Sequence, residues 1–156
     1  MRYLLSACFL LFATVLHAGP DMTARAGFAV YPTAKSHAEL LEDLRAAVTE
    51  NGMGLVTQAG PTGAAAARGI EIPGNTVVGV FNNDFAVKIL ALSTAAMIEA
   101  PVRFYVTENA DGTATLSYKR PGFVFAPYAD EGGAALETLA AALDARFAAI
   151  AAAATR

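Results

Sequence analysis

Arg103, Tyr105 and Lys119 form the set of side chains in this chain with the clearest chemical potential. Arg103 and Tyr105 stand two residues apart in a stretch that alternates apolar and polar, and a strand period of two puts both on one face. Lys119 keeps the same phase in the next alternating stretch, and Glu99 and Glu108 flank the first. A guanidinium offers a rigid fork of donors for a carboxylate or phosphate, and a phenol supplies a flat wall, so the set suits a small anionic ligand. Three structural roles compete for the same residues: a solvated sheet face, a homodimer interface, and cross-strand pairs that stabilise a hairpin.

Asn82, Asn83 and Asp84 form a second polar set at a strand-to-helix junction, where such side chains line a pocket or cap the helix. The carboxylates Asp84, Glu99 and Glu108, with Arg103 as electrostatic stabiliser, would equip a hydrolase-like enzyme. Other catalytic inventories are thin. His37 falls in the first turn of a capped helix and reads as a surface histidine, whereas a zinc site needs three or four ligands around the metal. A serine triad would also depend on His37, and no nucleophile elbow accompanies it. Gly60-Pro61-Thr62-Gly63 lacks the lysine and spacing of a phosphate loop and reads as a turn. Without a nucleophile, a metal cluster or a cofactor loop, the residues favour a binding or interaction module over an enzyme, with no cofactor and no metal.

Met1 to Ala18 reads as a cleaved export signal: Arg2 is a short positive region, Tyr3 to Leu16 an apolar run, and Ala18 a small residue at the cut, with Ala26 as the alternative. The run is shorter than the roughly 20 residues of a membrane-spanning helix, so no stable membrane anchor is expected. Cys8 lies inside the apolar run instead of after it, which argues against a lipoprotein box. Cleavage removes Cys8 and His17, leaving residues 19–156 as a single periplasmic or secreted domain without disulfides. The formal net charge of −3 becomes more negative with the loss of Arg2, which argues against nucleic-acid partners.

The elements that must position these residues alternate along the chain. Phe28 to Tyr31 is a short strand stopped by Pro32. Ser36 and Glu39 have the spacing of a capping box, ahead of an apolar stripe of Leu40, Leu41, Leu44, Ala47 and Val48. Leu55 to Gln58 is a second strand, Thr76 to Phe81 an interior one, and Asn82 starts a helix through Leu92. Between Gly63 and the interior strand, Ala64 to Arg68 suits a short helix, and Ser93 to Ile98 a resumption of the later one. Val102 to Thr107 and Ala114 to Lys119 form an antiparallel hairpin around Asn109 to Gly112. Phe123, Phe125 and Tyr128 lie in a connection that reads as a hydrophobic strap or a lid. A last helix begins near Gly133 with Leu136, Leu139, Leu143, Phe147 and Ile150 in one stripe. The order β-α-β-β-α-β-β-α predicts an α+β two-layer fold, with an antiparallel sheet covered by helices on one face and open on the other.

The blocks Val78 to Asp84, Ile98 to Glu108, Asp111-Gly112 and Leu116 to Pro121 resemble the corresponding blocks of domain of unknown function family 302. The resemblance covers most of residues 19–156 and implies a compact α+β domain, often a homodimer, with no established reaction. Where many members carry an Asp-His pair after the second strand, this chain has Gly60-Pro61-Thr62-Gly63, so no role of that histidine carries over. Where many carry a Phe-Gly-Asn-Pro turn, it has Phe81 to Asp84.

Overall fold

A computed structural model describes residues 22–156 of the chain. The expected export segment, with Cys8 and His17, lies outside the described residues. Five strands form one antiparallel sheet: β1 (Phe28–Pro32), β2 (Gly54–Ala59), β3 (Asn75–Phe81), β4 (Val102–Glu108) and β5 (Ala114–Lys119), in spatial order β1-β5-β4-β3-β2. The β4–β5 hairpin lies at the centre, where its two periods of alternation decide what each sheet face presents.

One face is apolar and covered. Ala29, Val78, Val80, Phe104, Val106, Leu116 and Tyr118 are buried against α1 (His37–Glu50), α3 (Asn83–Leu92) and α5 (Ala129–Ala154). Helix α1 starts at the expected capping box and buries Leu40, Leu41, Leu44, Ala47 and Val48. The alanine-rich α5 packs beside α1, α3 and α4, and its Phe147 ring reaches the sheet to stack on Phe104 with centroids 4.5 Å apart. Of its expected stripe, Leu136, Leu143, Phe147 and Ile150 are buried and Leu139 partly so. The α+β class, the two layers and the single covered face stand as the sequence predicts.

The differences are local. The range of α5 opens with a short helical stretch from Ala129 that breaks at Gly133 (φ 53°, ψ −152°), a backbone state that glycine reaches without steric cost, and the long helix follows from there, where the sequence places its start. The connection after β5 contains a short helix, α4 (Pro121–Phe125), with Pro121 at its first position, where a missing N–H is not needed. The short helix expected at Ala64 to Arg68 starts earlier, as α2 (Thr62–Ala66), and the stretch before β4 is a 3-10 helix, Ala95–Glu99. No helix among the described residues is long and apolar enough to cross a membrane.

Candidate functional site

The antiparallel register arranges the open sheet face in rungs. Val30 stands opposite Ser117, Ser117 opposite Tyr105, and Tyr105 opposite Val77. In the next rung Phe28 is opposite Lys119 and Arg103 opposite Gly79. Continuing the Phe104–Tyr118 register by one residue sets Arg103 beside Lys119. Adjacent strands run about 4.8 Å apart, so two cationic stems rise side by side from neighbouring strands. Gly79 closes that rung without a side chain, because Thr57 and Pro101 lie where its Cβ would be.

A cavity of about 440 Å³ lies over these rungs. Arg103, Tyr105, Ser117 and Lys119 line it together with Val77, while Phe28, Glu99, Phe123, Val124 and Pro127 form its sides. The cavity therefore brings together two of the expected ligand residues, Arg103 and Tyr105, with Lys119 from the next strand and the flanking Glu99.

Its polar groups are unevenly satisfied. Among the described residues Lys35 and Asp43 form the one ion pair, at 2.6 Å, and neither Arg103 nor Lys119 has a carboxylate or hydrogen-bond partner. Lys119 Nζ lies 5.9 Å from the Phe28 ring centroid and the Arg25 guanidinium 5.5 Å from it, so the ring's electron-rich π system draws both cations to the rim. Glu99 accepts a hydrogen bond from the Tyr128 hydroxyl at 2.8 Å, which holds that phenol above its ordinary value. Tyr105 Oη accepts from Asn75 Nδ2 at 2.6 Å, fixing the phenol ring within the cavity. Ser117 is fully buried, and its Oγ has no hydrogen-bond partner.

The second expected set has a different position. Asn82 caps α3: its Oδ1 accepts from the N–H groups of Asp84 at 3.0 Å and Phe85 at 3.2 Å, and its Nδ2 donates to the Gly52 carbonyl at 2.9 Å. Asn83 and Asp84 are exposed in the first turn of that helix. None of the three lines the large cavity. The carboxylates do not converge either. Glu108 sits five residues beyond Arg103 on β4, about 17 Å along an extended strand, and accepts from the Gly74 N–H at 2.5 Å. His37 meets Thr76 Oγ1 at 3.3 Å, and no group of three or more His, Cys, Asp or Glu side chains among the described residues is arranged to hold a metal.

Sequence reasoning missed Ser117 and Phe28 as members of this site. Ser117 carried a signal, since it shares the polar phase of β5 with Lys119. Phe28 carried none, because its place beside Lys119 depends on the pairing of the first strand with the fifth. Phe123 was read as strap or lid, and the two aromatics of α4 divide those roles: Phe125 is buried in the core, whereas Phe123 is half-exposed at the cavity wall.

The family model for the domain of unknown function DUF302 matches residues 29–154, which runs from within β1 to the end of α5. The chain belongs to the DUF302 family. No curated protein matches it. Among solved structures, the crystal structure of an uncharacterized conserved DUF302 protein from Bacillus stearothermophilus superimposes with a TM-score of 0.74 at 20% identity, covering 85% of this chain and 100% of that one. That likeness extends the DUF302 assignment to the fold, five antiparallel strands with helices packed on them, and not to the composition of the open face.

Proposed function

We propose that this DUF302 protein is an exported binding module that holds a small anionic ligand on the open face of its sheet. The observation that carries the reading is Arg103 and Lys119, side by side on adjacent strands with no carboxylate partner among the described residues, one rung from the unsatisfied Ser117 hydroxyl. Like charges directly opposite across a strand pair destabilise the sheet, and a buried hydroxyl without a partner costs about 1–3 kcal/mol. A carboxylate or phosphate oxygen relieves the first of these: it accepts from the guanidinium fork and the ammonium. The apolar and aromatic sides of the cavity offer contact to the rest of such a ligand, while Arg103 and Lys119 themselves are exposed. Export rests on Met1 to Ala18. The hydrolase alternative gains less support, since of Asp84, Glu99 and Glu108 only Glu99 lines the cavity, and its carboxylate already holds Tyr128.

Native mass spectrometry of the full chain expressed in its own host and recovered from the periplasmic or secreted fraction tests this. The expected species starts at Gly19 and carries a small anion that Arg103→Ala loses. A ligand-free wild type would contradict the binding reading, and so would a dimer whose mass halves on Arg103→Ala, which would make the open face a contact between copies. Recovery in the cytoplasm with Met1 to Ala18 intact would contradict export.

A further inference from the structure

Resting on the anion reading of the open face, we infer that the ligand is an organic anion with a flat, ring-bearing apolar body, and that Phe28 and Phe123 select for the ring. Three observations carry this. The first is size. A water molecule takes about 30 Å³ of liquid, so the cavity of about 440 Å³ is far larger than a lone phosphate or carboxylate requires. It falls within the range of sites that enclose an organic ligand.

The second is the segregation of its lining. The charged donors come from one rung, Lys119 and Arg103, whereas Phe28, Phe123, Val124 and Pro127 are apolar and stand at the sides. A ligand with its anionic head on that rung places its remaining atoms among aromatic and aliphatic carbons. Glu99, with one oxygen engaged by Tyr128, discourages a second negative charge at that side, so the body is neutral.

The third is the state of the two rings. Phe123 is 48% exposed, an unusual position for a phenylalanine, yet it is held in place: its ring lies against the Gly27 backbone, where φ is +75° and an added Cβ would lie 2.3 Å from the ring. Phe28 is fixed by its backbone pairing with Lys119 and by the cations near its ring. Two anchored aromatic rings beside a cationic rung present preorganised surface, on which offset or edge-to-face contact favours a flat partner over a puckered one.

Isothermal titration of the full chain with 3-phenylpropionate, 3-cyclohexylpropionate and inorganic phosphate separates the two readings. The expected order is phenylpropionate tightest, the saturated analogue weaker, and phosphate weakest. Phe123→Ala should weaken phenylpropionate by roughly fivefold and leave phosphate unchanged, on the scale of one aromatic contact, and Phe28→Leu should weaken phenylpropionate by at least as much. Equal binding of the phenyl and cyclohexyl acids, or of phosphate and phenylpropionate, would overturn the ring inference and leave the anion site standing. So would unchanged phenylpropionate affinity in both variants. Binding of none of the three probes would overturn both.

Discussion

Asn82 and Arg103 are both polar residues at prominent positions, and their surroundings give them opposite meanings. Every hydrogen-bonding group of the Asn82 amide that the cap and the Gly52 carbonyl can use is engaged, so the side chain is structural. Arg103 has five donors and no partner among the described residues, so its position makes sense as a binding group. The distinction was only half legible in the sequence. Asn82 precedes a helical stretch, which announces a cap, but a capping amide and a pocket amide have the same letters; only the Gly52 contact, thirty residues away, decides it. Asn82→Ala should lower stability by about 1 kcal/mol in chemical denaturation, the usual cost of a lost N-cap, and leave anion binding on the open face unaltered. Loss of binding in that variant would move the ligand to the α3 junction.

At the scale of elements, the local signals that involve neighbouring residues were readable and those that depend on distant pairing were not. The β4–β5 hairpin was legible because alternation with a period of two writes both faces into the sequence. Helix α1 was legible because Ser36 and Glu39 satisfy each other's backbone: Ser36 N–H and Oγ donate to Glu39 Oε2 at 2.8 and 2.7 Å, and Glu39 N–H donates to Ser36 Oγ at 3.3 Å. Helix α4 was not, because five residues of Pro, Gly, Phe and Val carry no helical period, and α5 packed against it supplies the order. The capping box also titrates. The Ser36 hydroxyl, and then its N–H, hold the Glu39 carboxyl below its ordinary value of 4.5. A depressed folded value means that the contribution is complete above that ordinary value and is lost as pH falls through the folded one. Thermal melts of wild type and Ser36→Ala should therefore differ most near neutrality, with the gap narrowing below about pH 4.5. A gap that widens on acidification would show that Glu39 is not what the cap stabilises.

For the whole molecule, topology does what composition conceals. The described residues place the first strand beside the fifth, which carries Phe28 next to Lys119 across 91 positions of sequence. The same arrangement puts α1, α3 and α5 on one sheet face and leaves the rungs of the other open. A stable helix-covered core lets the opposite face tolerate two neighbouring cations without a carboxylate partner. On the proposed anion reading, the two cations belong to a ligand and not to the fold. Thermal unfolding at low ionic strength, with and without millimolar 3-phenylpropionate or phosphate, tests it most directly in wild type and Arg103→Gln. The unliganded variant is expected to melt no lower than unliganded wild type, because a like-charge repulsion has been removed, and an anion to raise the wild-type midpoint but not the variant's. A variant that melts lower, together with a wild type that no anion stabilises, would make Arg103 a structural residue and contradict the account.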